Sequence, residues 1–99
     1  MNSISSIAQS GMSAAMLRLS SSAHNVANDM TPGFRRQWVT QEAQAGGGVV
    51  SHVAQADVAG VNLAEDLVQQ MAAAYSFKAN LLTIQTDYQM LGSLLDMKA

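Results

Sequence analysis

No proline or glycine interrupts the chain between Asn62 and Gly92. These are the two residues that most weaken a helix interior, so such a run favours one long helix. Asn62 is a good N-cap, and Glu65, three residues on, completes a capping-box-like pair. Asp66 adds a second acid to the first turn, where the helix dipole favours negative charge. Beyond it, Leu67, Met71, Ala74, Leu81, Ile84, Tyr88, Leu91 and Leu95 recur with spacings of 4, 3, 7, 3, 4, 3 and 4, which is one helical face. The segment 62–97 is therefore expected to be a helix, roughly 50 Å long at ~1.5 Å per residue.

A second helix is expected over 3–28. Ala8, Met12, Ala15, Leu19, Ser22 and Val26 are spaced 4, 3, 4, 3 and 4, a near-heptad stripe. Ile4, Ile7 and Met16 lie off it. Gly11 and Ser20–Ser22 lower the intrinsic helicity, so this helix needs packing to hold it. Its small residues would let a neighbouring helix approach closely. Asn28 is placed to cap its end, being tolerant of the left-handed conformation. Thr31 precedes proline and is pushed toward extended geometry. Pro32-Gly33 suits the two central positions of a type II turn, with Gly33 supplying the positive φ.

Between the helices, 34–56 is expected to form an antiparallel β-hairpin. In "FRRQWVTQ", Phe34 to Gln41, and "GVVSHVAQA", Gly48 to Ala56, β-favouring residues alternate with polar ones, and "EAQAGGG" supplies a flexible connection. A two-stranded hairpin alone in water is marginal, so it needs a helix or a partner beneath it. The fold class is therefore mainly α: a single domain in which N- and C-terminal helices pair as an antiparallel coiled-coil hairpin with a small β-hairpin between them. Leu67, Met71, Leu81, Ile84, Leu91 and Leu95 are expected to pack against the first helix. Val68, Tyr75 and Leu82 would then remain outside, and leftover apolar faces imply that the chain assembles.

Composition supports association and narrows chemistry. Apolar residues make up 48% and charged residues 12%, about half the usual charged share, and a weakly charged surface favours association. Five basic residues against seven acidic ones argue against nucleic acid, which draws on clustered Lys and Arg. There is no cysteine, hence no disulfide framework and no thiolate metal site. His24 and His52 have no carboxylate at ligand spacing, so no metal site is expected. "AGGGVV" lacks the Lys-Ser/Thr and following helix that phosphate cradling requires. No Gly-x-Ser-x-Gly elbow occurs, and the Glu65-Asp66 pair is explained by a helix start. Arg35-Arg36 reads as a solvated strand face or as a contact for an acidic neighbour. No catalytic residue, cofactor site or metal is expected. "MNSISSIAQSG" lacks a basic n-region, so no cleaved signal peptide is expected. No window holds 18 consecutive apolar residues, so no direct membrane insertion is expected either.

Two stretches carry a family resemblance. "SGMSAAMLRLSSSAHNVANDMTPGFRR", Ser10 to Arg36, resembles the N-terminal signature of the flagellar rod and hook family of axial proteins. Its Asn-hydrophobic-Ala-Asn box is here Asn25, Val26, Ala27 and Asn28, followed by the Thr31, Gly33, Phe34 turn and Arg35-Arg36. "VNLAEDLVQQMAAAYSFKANLLTIQTDYQMLGSLLDMKA", Val61 to Ala99, is similar to the family's C-terminal signature. Asn62 and Glu65 open it, Ala79 and Asn80 form its Ala-Asn box, and Met90, Leu91, Leu94 and Leu95 form its terminal apolar motif. Tyr75 and Phe77 stand where the family usually has Arg-x-Tyr, and the middle region is very short. The resemblance implies a minimal proximal-rod-type structural subunit of the flagellar basal body. It also implies type III export without cleavage, a periplasmic location, and assembly with copies of itself or with other rod or hook subunits. The alternative is a small soluble helical binding module that regulates flagellar export or assembly.

Overall fold

The computed structural model describes residues 4–98. Their order is helix α1 (Ile4–Ala27), strand β1 (Gln37–Ala43), strand β2 (Val49–Gln55) and helix α2 (Leu63–Lys98). The expected helix–hairpin–helix plan is what forms, with the two helices packed antiparallel. Ser3, expected to open the first helix, lies outside the described residues. The molecule measures 64 × 25 × 13 Å with a radius of gyration of 17.4 Å, against about 13 Å for a globular domain of this length. α2 sets that length, since 36 residues rise about 54 Å.

The helix ends form by local chemistry. The Glu65 N–H donates to Asn62 Oδ1 and the Asn62 amide donates to Glu65 Oε2, each at 3.1 Å, which completes the capping box. At the end of α1, the Asn28 side chain donates to the His24 carbonyl at 2.9 Å and accepts from the Thr31 hydroxyl at 3.1 Å. Among the described residues no non-glycine residue has positive φ. Asn28 therefore caps through its amide and not through a left-handed backbone, correcting the expected mechanism. The turn that follows is the expected one: Gly33 has φ of 71°, and the Phe34 N–H donates to the Thr31 carbonyl.

The two strands pair antiparallel, Val39 with Val53 and Gln41 with Ser51. β1 begins later than expected because Phe34, Arg35 and Arg36 are drawn into the joint described below. Val39, Val49 and Ser51 share the face turned toward α1, while Thr40, Val50 and His52 face away and Trp38, at the start of β1, borders the cleft described below. The glycine run is not a loose tip. Gly47 and Gly48 have φ of 96° and 91°, and a Cβ on them would lie 2.8 Å from Ile7 Cδ1 and 2.9 Å from Ser10 Oγ. The tip is docked on the start of α1, where Ser10 Oγ donates to the Ile7 carbonyl and accepts from the Val49 N–H at 3.0 Å.

α1 buries the stripe read from its sequence: Ala8, Ala15 and Ser22 are buried and Met12, Leu19 and Val26 half-buried. α2 does not. Its covered residues are Asp66, Gln70, Ala73, Phe77, Asn80, Ile84 and Asp87, spaced 4, 3, 4, 3, 4 and 3, together with Ser76. Of the residues expected to pack there, only Ile84 does. Leu67, Met71, Leu81, Leu91 and Leu95 are exposed by 39% to 69% of their surface, and Met71 is not a core residue. The reason lies on α1, whose opposing surface is Ala8, Gly11, Ala14, Ala15 and the polar Ser21, Ser22 and Asn25. Such a surface allows close approach only to small or hydrogen-bonding partners. At Gly11 an added Cβ would stand 2.6 Å from Asn80 Oδ1. Among the described residues the buried apolar core is thus four alanines, Ala8, Ala14, Ala15 and Ala73. At about 0.8 kcal/mol per buried methyl-sized group they contribute about 3 kcal/mol together, no more than one or two fully buried leucines.

Candidate functional site

The motif residues converge on a polar joint where the end of α1, the entry to β1 and the start of α2 meet. Asn25, buried at the last turn of α1, uses its side-chain amide as a strand would use its backbone. It donates to the Gln37 carbonyl and accepts from the Gln37 N–H, both at 2.8 Å. The Ala56 N–H already donates the last ladder bond of the hairpin to the Arg36 carbonyl, so Gln37 turns its backbone groups outward and Asn25 satisfies them. Asn25 also donates to Asp66 Oδ1 at 3.2 Å.

Asp66 is the hub. It is 3% exposed and accepts from Arg36 Nη2 at 2.5 Å. Its carbonyl accepts from the Ser22 hydroxyl. Glu65, on the rim, stands 3.7 Å from Arg36 Nη1. The hydrogen bond that Arg36 donates to Asp66, reinforced by the charges of both acids and opposed by partial burial, raises the Arg36 pKa above its ordinary value. Arg36 therefore meets the acidic neighbour that sequence left open. Arg35 instead donates to the Ala56 carbonyl, closing the base of the hairpin. Phe34 packs edge-on against His24 with ring centroids 5.4 Å apart, and its carbonyl accepts from the Gly60 N–H at 3.1 Å. A partly open cleft of about 200 Å³ lies in this joint, lined by Arg18, Ser21, Arg36, Trp38, Glu65 and Gln69 among others.

The structure thus brings Asn25, Asn62 and Glu65 together through Arg36 and Asp66, with Asn28, Thr31, Gly33 and Phe34 shaping the turn beside them. Asn80 sits elsewhere, over Gly11, with its amide on the Ser76 carbonyl at 2.8 Å. Ala27 and Ala79 are exposed, and Ala79 presents its carbonyl to the Thr83 hydroxyl at 3.1 Å. Met90, Leu91, Leu94 and Leu95 are exposed by 50% to 69% on the last turns of α2, where Met90 borders a shallow pocket with Ile4. Sequence reading missed Ser10, Ser21 and Gln37, placed Ser22 on the stripe of α1 without a role in the joint, and assigned Asp66 only to the helix start. The one available signal was the small and polar character of the Ser20–Ser22 run.

The arrangement is mechanical. Asn25, Arg36, Glu65 and Asp66 tie one element to another, and in the joint no nucleophile stands beside a base among the described residues. Among the described residues no group of three His, Asp or Glu side chains is placed to hold a metal ion, and no helix is long and apolar enough to cross a membrane. Fold and joint define a helical hairpin with a docked β-hairpin and an apolar outer face. No protein-family model and no curated protein matches the chain.

Proposed function

We propose that this chain is a structural, non-enzymatic subunit of the bacterial flagellar basal body. In this reading it is a rod-type axial protein that assembles with copies of itself or with other rod or hook subunits through its terminal helices. One observation carries the assembly part: the large apolar side chains of α2, Leu67, Met71, Leu81, Leu91 and Leu95, are outside while the intramolecular contact is built from alanine, serine and asparagine. A helix pair with its bulky residues outside has its main hydrophobic stabilisation still to gain, by association. The flagellar part rests on the resemblance of residues 10–36 and 61–99 to the axial signatures. The chain would reach the periplasm through the flagellar type III apparatus without cleavage.

A second reading is a small soluble helical module that regulates flagellar export or assembly. It is favoured by the size of the middle region, a lone hairpin of two seven-residue strands. Location separates the two. Epitope-tagged protein co-purifying with basal bodies is the result expected of a rod-type subunit. Recovery in the cytosol alone, with intact rods and normal motility in a deletion strain, would overturn it in favour of the module.

A further inference from the structure

The cleft in the joint has chemistry that the fold does not use. Ser21 is 5% exposed, and its hydroxyl has no hydrogen-bond partner among the described residues; Arg36 Nε, also buried, has none among them. Arg18 donates one bond, to Gln69 Oε1 at 2.9 Å, and has no acidic partner among the described residues. Three donor groups therefore border one cleft and call for an acceptor, because a buried unpaired donor is costly. The charges along the lining cancel, Arg18 and Arg36 against Glu65 and Asp66, so an uncharged acceptor suits the cleft better than a carboxylate. Trp38, 47% exposed, gives it an apolar wall.

The far end of the molecule carries a matching group. The α2 face that packs on α1 continues past Asp87 to Leu91 and Leu94, where α1 no longer covers it. From Tyr88 to Leu95 this overhang has no charged residue, and it presents the Gln89 carboxamide beside Met90, Ser93 and Leu94. We propose that the cleft receives the overhanging end of α2 from a second copy, with the Gln89 carboxamide as the acceptor and the neighbouring apolar side chains against Trp38. This rests on the assembly reading above and specifies its contact. Cleft and overhang lie at opposite ends of a 64 Å molecule, so the contact is head-to-tail and generates an open filament, not a closed dimer.

The absence of cysteine makes the contact directly testable. Full-length Gln69→Cys protein, marked at the cleft rim, is mixed with Ser93→Cys protein, marked beside Gln89, and disulfide-linked heterodimer is followed under mild oxidation. The expected result is linkage at least about tenfold faster than between Ser93→Cys and Ser13→Cys proteins, since Cα atoms must come within about 7 Å to bridge. Adding Gln89→Ala to the Ser93→Cys partner, an exposed change outside the fold's own contacts, lowers the linkage roughly fivefold or more. Emission of Trp38, the single tryptophan, shifts to the blue as the wild-type chain associates. If the wild-type chain associates but the Gln69–Ser93 pair links no faster than the Ser13 control, this contact is wrong and the assembly reading stands. If the wild-type chain stays monomeric at every concentration, both fall.

Discussion

Replacing Asp66 by alanine removes the hub of the joint. The wild-type carboxylate is 3% exposed and accepts from Arg36 at 2.5 Å and from Asn25 at 3.2 Å. Breaking a buried pair by deleting one partner costs about 3–5 kcal/mol, because the surviving charge is left without compensation. Arg36 has 23% of its side chain exposed and keeps Glu65 at 3.7 Å, so the lower end applies, about 3 kcal/mol. Glu65→Ala makes the internal comparison. Glu65 is 53% exposed, so its ion pair is worth at most about 1 kcal/mol, with a similar amount for its share of the capping box. Urea unfolding followed by far-UV circular dichroism and Trp38 emission measures both. The reasoning is refuted if Asp66→Ala is no more destabilising than Glu65→Ala.

Three further outcomes follow from the same contacts. Gly11→Ala is expected to destabilise the wild type by about 1 kcal/mol, because the new methyl displaces Asn80, and to stabilise an Asn80→Ala background by about 1 kcal/mol through helix propensity alone; a double-mutant cycle of thermal unfolding checks this. Gly33→Ala and Gly48→Ala both place a side chain at positive φ, costing about 1 kcal/mol, but only Gly48→Ala also meets Ser10 at 2.9 Å, so its loss in urea titrations is the larger. A group whose folded pKa is raised adds stability that is complete below its unfolded pKa and is lost only as pH rises through the folded one. For Arg36 that window lies at the alkaline extreme, so its contribution stays constant from about pH 6 to 9, and the stability difference between wild type and Arg36→Ala is flat over that range.

What could be read from sequence was local. The capping box of Asn62 and Glu65 and the Pro32-Gly33 turn depend on a few neighbouring residues, and both form as read. The stripe of α1 was legible because its 4-3 spacing of Ala8, Met12, Ala15, Leu19, Ser22 and Val26 is the face that α2 covers. The face of α2 was not. Hydrophobic periodicity identifies an apolar stripe without saying what covers it, and here Leu67, Met71 and Leu81 stay exposed alongside α1 while Leu91 and Leu95 lie past its described end. Choosing the covered face required knowing that α1 presents Gly11, Ala14 and Asn25, which select Asn80, Ala73 and Asp66 from α2. Ser21 and Asp66 resemble surface residues in isolation, and only their meeting with Arg36 and Asn25 reveals the joint. The glycine run looked like slack chain because the contacts that hold it, to Ile7 and Ser10, come from a distant element.

The central claim is that the apolar face of α2 is covered by association. Sedimentation velocity of the purified full-length chain, from low to high micromolar concentration, tests it most directly. The account expects species that grow with concentration, and a Leu91→Ser, Leu95→Ser double variant that keeps its helical content but no longer grows. A single elongated monomer across the whole range would contradict it.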